Sequence, residues 1–197
     1  MKFFPSSILL AVALLNVSNS FSQSRIPSEK PTLIIGIVVE NMRSEYIYRY
    51  WDKFSKKGFR RLIGEGTYCK NASHNYLNTQ SAPGYASLVT GCSPSVHGIV
   101  GNFYYDRKKD EMVDCLFDKK AKAVGSSAFT GKLSPRQLLT TTFSDELKLM
   151  SMNRSKVVSI SGNYQGAILM GGHAADMAYW FDDVDGVWIT SDYYQKT

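Results

Sequence analysis

The chain has 197 residues, 44% of them hydrophobic and 13% aromatic, with a formal charge of +6. That composition excludes disordered and collagenous chains and leaves enough apolar material for a real core. The basic residues come in scattered pairs (Arg60/Arg61, Lys108/Lys109, Lys119/Lys120), with no long block and no nucleic-acid motif. The charge therefore reads as a solvated surface that at most steers anionic substrates, with no nucleic-acid partner.

Lys2, the apolar run from Ile8 to Leu15 and the small, polar stretch that follows predict a signal peptide over residues 1–22. The run is well short of the ~20 residues a membrane-spanning helix needs. A mature domain of residues 23–197 is expected, periplasmic or secreted, with no stable membrane anchor. Cys69, Cys92 and Cys115 form neither a CxxC nor a Cys/His zinc pattern. One bridge with a thiol left over and three buried thiols are equally compatible with that spacing.

Leu33 to Val39 is continuously apolar and β-branched, the pattern of a strand buried on both faces of a parallel sheet. Apolar residues from Tyr46 to Ile63 at three- and four-residue steps predict a helix, ended by Gly64 and Gly66. A strand is expected near Thr67 to Ala72. Ser81 to Val89 reads as a helix, with Pro83 in a first turn that tolerates proline. Phe103 to Tyr105 and the charged stretch after them suggest a hairpin or excursion. Ser134-Pro135 is expected to start a helix running to about Met152. Val157 to Ile160 and Val187 to Thr190 read as strands, and Ala167 to Leu169 and Ala178 to Phe181 as shorter apolar pieces. Alternating strand and helix predicts an α/β fold with a mostly parallel central sheet flanked by helices, incomplete at its C-terminus.

Ligands bind such sheets at the carboxyl ends of the strands. Glu40 directly follows the first apolar run and is a natural metal ligand there. An acidic residue at a strand end is equally a helix-cap partner. Ser81 opens a predicted helix, where the dipole and free N–H groups favour an anion. Read alone, it is more simply a cap. Asn102 follows a Gly-containing loop and could donate to a phosphate oxygen, although a turn asparagine has the same signature. His97 in that loop reads as structural.

Four segments in order, LIIGIVVENMR, NTQSAPGYASLVTG, PSVHGIVGN and GAILMGGHAADMAYWFD, resemble the N-terminal part of the alkaline-phosphatase superfamily. The branch they resemble is that of bacterial alkaline phosphatases related to type I phosphodiesterases/nucleotide pyrophosphatases. The resemblance runs from about Leu33 to Tyr194. It implies a phosphoric ester hydrolase acting on a small phosphoester, with two zinc ions and a covalent phosphoryl-enzyme.

On that resemblance Ser81 falls on the nucleophile and metal ligand, which is usually threonine in this branch. Asn102 falls on a phosphate-binding asparagine, and Glu40 on a metal-binding aspartate one methylene shorter. Asn163 and Gln165 stand where the monoester-cleaving branch carries Lys and Arg. The remaining metal ligands of the family lie further along than this sequence reaches. His173 and Asp176 fall in what looks like a structural segment. The departures at Glu40, Asn163 and Gln165 keep a second reading open, that of a weak or inactive relative, or a truncated fragment, that binds a ligand.

Overall fold

The computed structural model of the chain describes residues 31–127 and 129–195. The expected signal peptide lies outside them. The described residues fall in two units, divided after Met42.

In the first unit the apolar run from Leu33 to Val39 forms no strand and is exposed, Ile37 by 81% and Leu33 by 73%. This corrects the expectation of a buried strand. β-branched apolarity favours a strand only where neighbours pair its N–H and C=O groups, and the run pairs with no strand among the described residues.

The second unit opens with α1 (Glu45–Arg49), a 3-10 turn at Trp51–Lys53 and α2 (Phe59–Glu65). The single helix expected here is broken at Phe54, which is extended, and at Gly58 with φ +65° and ψ −128°, a conformation only glycine adopts readily. No strand forms at 67–72.

The next helix, α3 (Ser81–Thr90), ends at left-handed Gly91, and the short α4 (Pro94–His97) ends at left-handed Gly98. The expected hairpin follows as β1 (Phe103–Asp106) and β2 (Glu111–Asp114), with Phe103 opposite Asp114.

After β3 (Ala123–Val124), the helix expected from Ser134 to Met152 is two pieces, a 3-10 turn at Pro135–Gln137 and α5 (Phe143–Met150). A capping box starts α5: the Thr142 hydroxyl accepts from the Asp145 N–H while the Asp145 carboxylate accepts from the Thr142 N–H. β4 (Val158–Ser161), α6 (Tyr164–Gly171), β5 (Met177–Asp182) and β6 (Val187–Ser191) complete the unit.

The four-stranded sheet has the order β3-β6-β5-β4. β4 pairs β5 in parallel, and the other two pairings are antiparallel. The α/β architecture therefore carries a mixed sheet. One face supplies Ala178, Trp180 and Ile189 to a core shared with Ile168 and Leu169 of α6 and Ala82 and Ala86 of α3. Burying a side chain such as Ile168 stabilises the fold by about 1.5–3 kcal/mol. The opposite face leaves Val158, Ile160, Met177, Tyr179, Phe181 and Trp188 exposed. The three thiols are unbridged, with Cys69 exposed and Cys115 buried.

Candidate functional site

Helix α3 needs partners for the N–H groups of its first turn. Ser81 is the first helical residue and not the cap; the cap position is Gln80, whose side chain makes no capping bond. The cap comes from 20 residues away, where Asn102 Oδ1 accepts the Ala82 N–H at 2.9 Å. Pro83 has no N–H to satisfy, and the Gly84 N–H reaches Gln80 O at 3.0 Å. Among the described residues the Ser81 hydroxyl and Ser81 N–H thus keep no hydrogen-bond partner. The reading of Ser81 as a plain cap is corrected: Asn102 does that work and leaves Ser81 at the positive end of the helix.

Two side chains from the loop before α3 hold Asn102 in place. Gln80 Oε1 accepts the Asn102 N–H at 2.8 Å, and Asn78 Nδ2 donates to Val100 O at 2.7 Å. Gly101 permits this approach, since a Cβ there would lie 2.9 Å from Phe103 O and 3.4 Å from Gln80 Oε1. Because Asn102 Oδ1 accepts from Ala82, its amide orientation is fixed and Nδ2 is left as the donor.

Asn163 caps α6, its Oδ1 accepting the Gly166 N–H at 2.7 Å. Gln165 is 9% exposed, and its side-chain amide forms no hydrogen bond among the described residues. Between them, the Tyr164 hydroxyl donates to Asp114 Oδ2 at 2.7 Å. Asp114 lies opposite Phe103, the residue after Asn102, and the Cys115 N–H donates to Asn102 O at 3.0 Å. The links run through chain neighbours of the candidate residues: Ala82 bonds to Asn102, Cys115 to Asn102, and Tyr164 to Asp114. Burial raises the Asp114 pKa, an effect that the bonds from Tyr164 and Leu116 partly offset.

His97 is fully buried and structural. Nδ1 accepts the Ile99 N–H at 3.1 Å, so the proton sits on Nε2, which donates to Ser87 Oγ at 3.0 Å. That tautomer cannot take a proton from Ser87. His173 and Asp176 are structural as well. His173 Nε2 contacts Thr140 O, and Asp176 accepts from Lys148, Lys156 and the Val157 N–H. Burial raises the Asp176 pKa, but the bonds from Lys148, Val157 and Lys156 outweigh it and hold the carboxylate well below its usual range.

Glu40 belongs to the other unit, exposed at a turn next to Asn41, whose φ is +56°. No group of three or more His, Cys, Asp or Glu among the described residues could hold a metal ion. Catalytic zinc takes about three protein ligands, so the donor set present does not make a zinc centre.

Asn78, Gln80 and Tyr164 escape a reading by sequence. Each is an ordinary polar residue beside a motif, and its role lies in a partner 22 or 50 residues away.

Known proteins bear on this arrangement. The chain is 43% identical over 167 residues to alkaline phosphatase PhoV of Synechococcus elongatus, covering 85% of this chain and 30% of that protein. It is 42% identical to a protein of Myroides odoratus named calcium-transporting ATPase, covering 85% and 31%.

Alkaline phosphatase PafA of Elizabethkingia meningoseptica is also similar. The crystal structure of the wild-type protein aligns with a TM-score of 0.76 at 41% identity, covering 79% of this chain and 30% of that one. A PafA variant with one threonine changed to serine and one asparagine, one lysine and one arginine changed to alanine aligns at 0.78. The chain thus spans about 30% of the length of these relatives. Residues 34–194 match the type I phosphodiesterase / nucleotide pyrophosphatase family, and the chain belongs to it.

Proposed function

We propose that this chain forms part of an exported phosphoric ester hydrolase in which Ser81 is the nucleophile and Asn102, Asn163 and Gln165 hold the phosphoryl oxygens. One observation carries the reading: Asn102 caps α3 from a distance, so the Ser81 hydroxyl and N–H stay uncommitted at a helix N-terminus with a fixed amide donor beside them. Helix N-termini favour phosphate oxygens. Ser81 Oγ bonds to phosphorus as the ester oxygen leaves, and water then cleaves the seryl phosphate. In the PafA variant the altered Thr and Asn are separated as Ser81 and Asn102 are, and the altered Lys and Arg as Asn163 and Gln165 are. That correspondence supports the assignment.

The substrate is a small phosphoester and not a nucleic acid, and the protein is periplasmic or secreted, as residues 1–22 suggest. Two zinc ions remain an expectation from the resemblance. The described residues offer them Ser81 and, in the separate unit, Glu40.

The pocket favours diesters over monoesters. A monoester dianion spreads more charge over its non-bridging oxygens, and charge-assisted hydrogen bonds are roughly twice as strong as neutral ones. Asn163 and Gln165 offer only neutral donors. In the full-length protein, Asn163→Lys with Gln165→Arg should raise kcat/KM for an aryl monoester far more than for the matching diester. Equal changes for both would refute the preference. Phosphate binding with no turnover of either substrate would favour the ligand-binding reading.

A further inference from the structure

We propose that the hydrogen bond from Tyr164 to Asp114 is a positioning lock, which fixes the two pocket amides of the α6 turn against the hairpin that carries Asn102. The inference rests on the reading of this site as a phosphoester pocket.

Tyr164 lies between Asn163 and Gln165, so any movement of its backbone moves both. Two side-chain bonds within this turn are local: Asn163 Oδ1 to the Gly166 N–H and Ser161 Oγ to the Asn163 N–H. Such bonds set the form of the turn but travel with it. The Tyr164 hydroxyl instead reaches 50 residues back, to Asp114 Oδ2 at 2.7 Å.

Asp114 is a rigid anchor. It is 4% exposed, ends β2 opposite Phe103, and its second oxygen accepts the Leu116 N–H at 2.8 Å. The next residue, Cys115, donates its N–H to Asn102 O. From Tyr164 to Asn102 the path thus runs through one charge-assisted bond, one strand pairing and one backbone bond. A buried carboxylate is unfavourable unless its lone pairs are satisfied, and here one of its two partners is the residue between the pocket amides. Tyr164→Phe keeps the ring and removes only the tether. Asp114→Asn keeps an acceptor for the hydroxyl, and Asp114→Ala removes it.

Two measurements test the lock. In the 197-residue chain, NMR relaxation should show faster backbone and side-chain amide motion at Asn163 and Gln165 in Tyr164→Phe. Tyr193→Phe, which loses only the hydroxyl bond to His173 O, should leave both unchanged. In the full-length protein, with bis(4-nitrophenyl) phosphate as substrate, Tyr164→Phe should lower kcat/KM about tenfold. Asp114→Ala should match it and Asp114→Asn should restore most of the rate. In a background carrying Asn163→Ala and Gln165→Ala, the Tyr164→Phe factor should fall to near one.

A tenfold loss that persists in that background makes Tyr164 merely structural and overturns the lock. So does unchanged amide motion in Tyr164→Phe. If wild-type protein turns over no ester, the hydrolase reading fails on its own, and the amide motions alone decide the lock.

Discussion

Removing the Ser81 hydroxyl and removing the Asn102 carboxamide should shift stability and chemistry in opposite proportions. Ser81 caps nothing, so Ser81→Ala should change unfolding free energy by no more than about 0.5 kcal/mol while abolishing the trapped phosphoryl-enzyme. Asn102→Ala removes the cap on Ala82 and should cost about 1 kcal/mol, besides weakening phosphate binding. Urea denaturation of the two variants, with acid trapping of labelled enzyme, separates these outcomes. A label on Thr79 in place of Ser81 would contradict the assignment.

His97 gives a pH prediction at the same scale. Burial lowers its pKa below 6.5, against a smaller raising effect from its own backbone. The unfolded chain therefore takes up the proton first. The stabilising contribution of neutral His97 is complete above about pH 6.5 and declines as pH falls toward the folded value. Urea midpoints at pH 5 and pH 7 should differ more in wild type than in His97→Gln. An equal difference in both would refute it.

At the scale of elements, the segment after α6 shows how tightly a turn can depend on one glycine. Gly172 has φ +75°, and a Cβ there would lie 2.2 Å from Thr142 Oγ1 and 2.8 Å from Asp145 Oδ2, the two sides of the α5 capping box. Gly172→Ala should destabilise by more than about 2 kcal/mol. Gly186→Ala, with φ +67° but nothing within 4 Å, should cost only the backbone term of about 1 kcal/mol. Similar melting temperatures for the two would contradict the steric argument.

The same box explains a limit of sequence reading. The apolar stripe of Leu138, Leu139, Phe143, Leu147 and Met150 predicts one long helix, but Thr142 and Asp145 start a new one inside it. β4, β6 and α3 were legible, because period-two or period-3.6 patterns there meet Gly and Pro punctuation. Within the candidate site, Ser81 and Asn102 could be picked out only through the family resemblance, because read alone each carries a cap or turn signature. Gln80 and Tyr164 could not, since their partners depend on tertiary structure.

For the whole molecule, the sheet is loaded on one face and bare on the other. Val158, Ile160, Met177, Tyr179, Phe181 and Trp188 form an exposed apolar surface, and exposed patches of this kind bind apolar dyes and other proteins. The 197-residue chain should therefore enhance ANS fluorescence in its folded state. Phe181→Lys should reduce that signal without changing the urea midpoint, and an unchanged signal would place the dye elsewhere. Zinc titration by calorimetry should show no tight two-site binding to this chain, because the described residues gather no three-donor cluster. Two tight sites would contradict that.

The cap at Asn163 also bears on how such a pocket can change over generations. Its oxygen holds the first turn of α6 through the Gly166 N–H, and lysine has no acceptor with which to replace it. A single Asn163→Lys change therefore brings a phosphate-binding charge together with a loss of about 1 kcal/mol of helix stability. Against total stabilities of about 5–15 kcal/mol, that loss is survivable but visible to selection. On the proposed diester preference, a route toward monoester specificity is smoother when a stabilising substitution elsewhere comes first, so the order of mutations matters as much as their identity.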